Sequence, residues 1–354
     1  MLSGGYLPEE YIGQKIRVRR SECFLLNKRH LDLGPCFEIK KRKQEEADVK
    51  YAVIGAGGTG GTLGFYLTKA GKDVTLIARG RHLEAMQQKG LTMKQLWDGK
   101  EETIPVKACT MQEYKEQPDV ILVCVKGYSL ESLIPDLRRI AGKNTVILPI
   151  LNIYGTGGRL QKEFPQSVVP DGCIYVSAAI EEPGVILRHG KILRVVFGAR
   201  VPSEETENMR ELAQDMASES LEVILSTDIR RDAMVKFSYV SPIGTAGLYY
   251  GATAADFQKE GLKREMICAL MREIVALSHA MGIEFEEDLV ERNLRILSNL
   301  APESTTSMQR DVIAGKQSEI DGLVYEVVRM GREYGVEMPE YEKAAAQFQK
   351  QGLS

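Results

Sequence analysis

Several classes of protein are excluded by what the chain has little of. It carries one tryptophan and four histidines in 354 residues, and no histidine is spaced as a metal ligand. Six cysteines, at Cys23, Cys36, Cys109, Cys124, Cys173 and Cys268, form no C-x-x-C pair. That pattern gives no zinc site and no disulfide framework, and it fits a reducing, cytoplasmic compartment. Cys124 and Cys173 stand inside apolar runs and read as small core hydrophobes. Charge of either sign is not in excess: the net charge is −3, which gives no attraction for a nucleic acid. Long hydrophobic runs are missing too. The longest, such as Val120 to Val125, have the length of a strand, against the roughly 20 apolar residues needed to span a bilayer. There is no internal repeat and no low-complexity tract. The length suffices for two domains, each with its own core.

The most informative stretch runs from Lys50 to Arg81. A short apolar run, Tyr51 to Ile54, ends at Gly55-Ala56-Gly57-Gly58-Thr59-Gly60, a G-x-G-x-x-G. An apolar-periodic segment with Leu63, Phe65, Tyr66 and Leu67 follows, stops at Gly71, and gives way to a second strand, Val74 to Ala78. This is a β-α-β unit with its glycines at the turn entering the helix, the fingerprint of dinucleotide binding. Gly55 permits the tight turn, Gly57 lets backbone approach a pyrophosphate, and Gly60 lets helix and strand pack closely. Free N–H groups at the helix start, with Gly58 and Thr59, then face the phosphates. Where an NAD site carries Asp or Glu after the second strand, this chain reads Ile77-Ala78-Arg79-Gly80-Arg81-His82. With no carboxylate and with Arg79 and Arg81 in its place, a 2′-phosphate and therefore NADPH is expected. The plainer alternative is that both arginines are solvated loop charges.

Further along, His82 to Lys89 reads as a helix, and Leu91 to Met93 begins a strand-rich insertion that turns at Asp98-Gly99-Lys100 into Thr103 to Val106. Asp119 to Val125 is expected to be a fully buried parallel strand with Lys126 at its carboxyl end, where open α/β sheets place ligands. Ser129 is expected to cap a helix through Ile140, and Thr145 to Leu148 forms the next strand before Asn152 and a Gly-rich turn, Gly155 to Gly158. Cys173 to Ile180, Val185 to Leu187 and Ile192 to Phe197 read as strands, with a turn at His189-Gly190-Lys191 between the last two. After Val201 the pattern becomes helical, with an amphipathic run at Leu262 to Met281. The expected fold class is α/β: an N-terminal Rossmann doubly wound sheet over residues 50–201 and an all-helical domain over 202–354, with the site in the cleft between them. Residues 1–49 share neither period and carry basic clusters. Two readings stay open for them, a flexible accessory tail or a stretch upstream of the true start.

Three segments of the second half could carry chemistry. One is the helix around Lys236, with Ser226 or Thr227 placed to cap it, and the others are Ser304 to Val312 and Gly315 to Gly322. Alone, Lys236 is an ordinary helix lysine, Ser307 an N-cap, and Glu319 a first-turn carboxylate. In combination with the glycine turn, the order resembles the ketopantoate reductase (2-dehydropantoate 2-reductase) family from Lys50 nearly to the C-terminus. The resemblance rests on GAGGTGG at 55–61, Lys126 after its strand, Asn152 after ILPIL, Lys236 in VKF, and SMQRD…AGKQSEID at 307–321. It implies NADPH-dependent reduction of a 2-oxo acid, ketopantoate to pantoate in pantothenate biosynthesis, by a cytoplasmic enzyme acting on a small molecule, with no metal. A homodimer is compatible with it. Lys236 would stabilise the developing oxyanion and donate the proton. Glu319 would position Lys236 or bind a substrate hydroxyl, and Ser307 would hold the substrate carboxylate. Asn152 would hold the carboxamide or the substrate, and Lys126 would sit beside the cofactor ribose.

Four positions depart from the family pattern. Val240, Ala254 and Ser304 stand where the family typically has Asn, and Ile153 follows Asn152 where Gly is usual. The expectation is a less polar pocket, shaped by Val240, Ala254 and Ser304, which suits a different 2-oxo acid. A non-catalytic NADP(H)-binding sensor is the third reading, although a sensor would need none of Lys236, Ser307 and Glu319.

Overall fold

The computed structural model describes residues 49–353. The expectation for the N-terminal extension therefore lies, up to residue 48, outside the described residues. The described residues begin with β1 (Lys50–Ile54), α1 (Gly58–Lys69) and β2 (Asp73–Ile77), the expected β-α-β unit. It continues through α2 (Gly80–Lys89), β3 (Leu91–Gln95), β4 (Glu101–Ile104), β5 (Lys107–Cys109) and β6 (Val120–Val123). Then come α3 (Leu130–Ile140), β7 (Val146–Pro149) and α4 (Thr156–Glu163). The first sheet has the order β5-β2-β1-β6-β7 and every neighbour is parallel. Parallel strands linked through helices must be covered on both faces, which is why β6 is buried at every residue. Tyr51 and Val53 of β1 pack on the α1 side, whereas Ala52 and Ile54 pack with Leu130, Leu133, Leu137 and Ile140 of α3.

Two expectations are corrected in this half. Ser129 occupies the N-cap of α3, but its side chain makes no cap bond because a tight turn over Gly127–Ser129 already leads into the helix. The glycines after Gly155 form the first turn of α4, whose Gly157 and Gly158 N–H groups donate to the buried Asp171 carboxylate at 2.7 and 3.2 Å.

A second sheet joins β3 and β4 to β8 (Asp171–Glu182) and β9 (Val185–Gly198), with β9 paired to both β3 and β8. The turn expected at His189-Gly190-Lys191 is absent: β9 runs straight through. The pairing jumps from Val176↔Leu193 to Ala178↔Arg188, so residues 189–192 form a wide bulge. The Arg188 guanidinium donates to the carbonyls of Gly190, Lys191 and Ile192, which satisfies the bulged backbone without a hairpin. After Val201, α5 (Glu207–Met216) and β10 (Glu222–Leu225) return to this sheet, where β10 pairs with β9. Met209, Leu212 and Met216 share a core with Tyr51 and Leu63.

The remainder is helical: α6 (Ile229–Tyr250), α7 (Ala254–Gln258), α8 (Leu262–Ala280), α9 (Leu289–Ser298), α10 (Ser307–Ile313), α11 (Glu326–Tyr334) and α12 (Pro339–Lys350). One π-helical turn, Asp321–Tyr325, precedes α11. The cap of α6 is Asp228, whose carboxylate accepts from the Arg231 N–H, and not Ser226 or Thr227; Ser226 instead donates to Asp232. No helix among the described residues is long and apolar enough to cross a membrane.

The two halves meet at Ile153. This side chain is buried, and a Cβ added at Gly127 or at Gly322 would overlap its Cδ1 atom. Gly127 follows β6, whereas Gly322 belongs to the π turn, so one isoleucine fills a socket of two glycines taken from both halves. Ile153→Ala is expected to lower the unfolding free energy by about 2–4 kcal/mol in urea titration. Gly322→Ala should also destabilise, and the double variant should lose less than the sum of the two. Additive losses would show that the socket does not couple these residues.

Candidate active site

The glycine turn is built as the residue types require. Gly55 has φ +93°, a conformation in which a side chain is strained. At Gly60 a Cβ would overlap the Gly55 carbonyl oxygen, and at Gly58 it would overlap the Ala178 carbonyl of β8. In front of Gly57 there is open space. The N-terminus of α1 has no side-chain cap, so its first N–H groups remain available to an anion. Gly55, Gly57, Gly58 and Thr59 line a cleft of about 1280 Å³ that runs between the sheets and the helical half.

Arg79 lies at the end of β2 and lines this cleft, and Arg81 does not. Arg79 and His82 are three residues apart and share a face of the first turn of α2, which leaves Arg81 on another side. His82, in the first turn of α2, braces the glycine turn. The Gly184 N–H donates to its Nδ1 at 3.0 Å, so Nε2 carries the proton and donates to the Ala56 carbonyl at 2.9 Å. Burial lowers the His82 pKa, which favours this neutral form.

At the other end of the cleft, Lys236 projects from α6. Its Nζ donates to Asn152 Oδ1, just after β7, at 2.8 Å. The side chain is half-buried, but its ammonium is deeply enclosed. Burial lowers its pKa below the usual lysine value, opposed only in part by the Cys173 thiol and the Glu319 carboxylate. Ser307 lines the same cleft. It is the first residue of α10 and not the cap, because Thr306 and Gln309 form a capping box and relieve Ser307 of that task.

Glu319 also lines the cleft, and its hydrogen bonds come from Lys126 and Gly127 and not from Lys236. It is 4% exposed, and its carboxylate receives Lys126 Nζ at 3.1 Å and the Gly127 N–H at 3.2 Å. Lys126 also donates to Asp311 Oδ2 at 3.0 Å. Burial by itself would lower the Lys126 pKa, but the Glu319 and Asp311 charges outweigh it and hold the pKa above its ordinary value. Glu319 thus holds Lys126 and Asn152 holds Lys236; the Lys126 ammonium, which also lines the cleft, pairs with two carboxylates of the helical half. Asp311 had no assigned role from the sequence. The available signal was its spacing, one helical turn after Ser307.

The departures also separate. Val240 lines the cleft, but neither Ala254 nor Ser304 does. A capping box of Thr253 and Asp256 starts α7 and turns Ala254 into the helical core, where its N–H donates to the Ser304 carbonyl at 3.0 Å.

A parallel sheet with a glycine turn, facing an enclosed lysine, a serine and an amide from elsewhere in the chain, defines an oxidoreductase that uses a nicotinamide cofactor. Comparison with known proteins refines the class. The family described as "Ketopantoate reductase PanE/ApbA" matches residues 51–201, and its C-terminal counterpart matches residues 228–351. The chain belongs to the ketopantoate reductase family. A 2-dehydropantoate 2-reductase of Mesorhizobium japonicum is 29% identical over 306 residues, covering 80% of this chain and 92% of that protein. Among solved structures, a PanE/ApbA family ketopantoate reductase from Ralstonia eutropha superposes with a TM-score of 0.76 at 24% identity, over 85% of this chain and 97% of the other. A D-mandelate dehydrogenase solved with NADH and anilino(oxo)acetate superposes with a TM-score of 0.74 at 22% identity, over 84% and 96%; it has the same fold.

The Glu319 junction can be tested by stability. Glu319→Ala leaves Lys126 with one partner and the Gly127 N–H with none, and is expected to cost about 1–3 kcal/mol in urea unfolding. Glu319→Gln keeps an acceptor for Gly127 and should cost less. Equal losses would remove the Gly127 bond from the account.

Proposed function

We propose that the protein reduces a 2-oxo acid to a 2-hydroxy acid with NADPH, and that the reacting groups are Lys236, Ser307 and Asn152. The observation that carries this reading is the enclosed Lys236 ammonium, fixed by Asn152 in the cleft that the glycine turn also lines. When bound, the reduced nicotinamide supplies a hydride to the keto carbon. Negative charge then grows on the carbonyl oxygen, where a desolvated ammonium stabilises it strongly and delivers its proton. Asn152 accepts one of the three Lys236 N–H groups, which leaves two to direct at the substrate. Ser307, freed from capping, donates its hydroxyl to the carboxylate of the acid. Glu319 acts on this site by holding Lys126 and the backbone after β6 against the helical half.

The residues present fit the cofactor: the uncapped α1 terminus and the space before Gly57 suit the pyrophosphate, and Arg79 suits a 2′-phosphate. Arg79 pairs with no carboxylate among the described residues. The names of the curated relatives make 2-dehydropantoate the first acid to assay.

Two measurements check this reading. Lys236→Ala should lower kcat with a 2-oxo acid by roughly 10²–10⁴-fold. Because the protonated amine is the active form and its pKa is lowered, wild-type kcat should fall as pH rises, with a midpoint below the ordinary lysine value of about 10.4. Undiminished turnover in the variant would remove Lys236 as the acid, and cofactor binding with no turnover of any 2-oxo acid would favour the sensor reading. For the cofactor, Arg79→Ala should raise the Kd for NADPH about tenfold, equivalent to about 1.4 kcal/mol, and leave that for NADH unchanged. Equal affinity of the wild-type protein for NADPH and NADH would defeat the 2′-phosphate assignment.

A further inference from the structure

On α6 the residues after Lys236 that line the cleft are Tyr239, Val240, Ile243 and Gly244. Lys236, Val240, Ile243 and Gly244 follow helical spacing, so they form one stripe that starts at the ammonium. Beyond Lys236 this stripe offers no hydrogen-bonding side chain. Across from it, Ile296, Met308 and Leu323 line the same cleft. At Gly244 the missing Cβ lets the Met308 methyl close against the helix: a Cβ there would stand 3.1 Å from Met308 Cε, too near without a shift. The nearby polar groups, Tyr239 beside the stripe included, already carry interactions of their own. The Thr306 hydroxyl bonds Gln309, and the Arg292 guanidinium pairs with Glu287 at 2.9 Å.

From these observations we propose that the site selects a 2-oxo acid whose substituent is apolar, branched or aromatic, and that Val240 and Gly244 set this preference. The inference rests on the 2-oxo acid reductase reading above. Lys236 and Ser307 take the keto oxygen and the carboxylate, which leaves the rest of the molecule against the stripe. One helical turn from the ammonium, the first surface met is the Val240 isopropyl group. An apolar substituent buries itself there, among Ile243, Ile296 and Met308. A hydroxyl at the same place gives up its water without gaining a partner, which translates into a discrimination of roughly ten- to a hundredfold. Phenyl and tert-butyl groups suit this surface, and a primary alcohol does not.

A single-hydroxyl comparison tests the proposal. Trimethylpyruvate has the skeleton of 2-dehydropantoate without its terminal hydroxyl. With the full chain and NADPH, kcat/KM for trimethylpyruvate should exceed that for 2-dehydropantoate by roughly tenfold or more. Phenylglyoxylate should also be reduced, and calorimetric binding of the acids to the protein with oxidised cofactor should follow the same order. Val240→Asn supplies the missing amide and should narrow or invert the ratio. Gly244→Ala displaces the Met308 methyl and should lower kcat/KM for the bulky phenylglyoxylate more than for pyruvate. If either variant fails to fold, the wild-type ratio and binding order decide alone. Turnover of 2-dehydropantoate equal to or better than trimethylpyruvate overturns the apolar preference and leaves the reductase reading standing. Cofactor binding with no 2-oxo acid bound or turned over removes the reductase reading, and this proposal with it.

Discussion

The two halves of the molecule are joined by a buried carboxylate. Glu319 takes a charged bond from Lys126 and a backbone bond from Gly127, both at the carboxyl end of β6, while it is itself carried into the helical half by the π turn that follows it. A carboxylate this enclosed is tolerable only with partners that offset its desolvation. Those partners belong to the sheet, so the relative placement of sheet and helices is specified by electrostatics as well as by packing. Ile153 does the packing part, seated between Gly127 and Gly322. Around this junction lies the cleft, with the glycine turn at one end and Lys236 at the other.

Within the cleft, similar residue types serve different ends because of their surroundings. Lys126 and Lys236 are both enclosed lysines. Two carboxylates keep the pKa of Lys126 above its ordinary value, whereas Lys236 has an amide oxygen as its hydrogen-bond partner and its pKa is lowered by burial. The first arrangement suits a structural cation. The second suits a group that holds a proton loosely enough to give it up, which is what the proposed reduction asks of it.

Much of the fold was legible in the sequence. The β-α-β unit, the buried strand at Val120–Val123 and the amphipathic α8 follow from local rules of period, glycine placement and helix termination. Local signals fail where a neighbouring residue competes for the same backbone groups. His189-Gly190-Lys191 has the composition of a turn, but the buried Arg188 guanidinium, supplied from the same strand, satisfies the bulged carbonyls and the strand continues. Ser226 and Thr227 are good caps in isolation, but Asp228 is closer to the first turn and wins.

For the site, the candidate residues are nameable from the sequence alone: the glycines and Arg79 by their place in the β-α-β unit, and Lys126, Asn152, Lys236, Ser307 and Glu319 by their resemblance to the family's motifs. Which of these residues touch one another was decided by the tertiary structure alone. Glu319 reaches Lys126 and not Lys236, Arg79 faces the cleft while Arg81 does not, and of Val240, Ala254 and Ser304 only Val240 meets the site. The physical reason is that a pairing across more than a hundred residues depends on how helices rotate and pack against a sheet. That rotation is set by whole buried faces, and no single residue in the string records it.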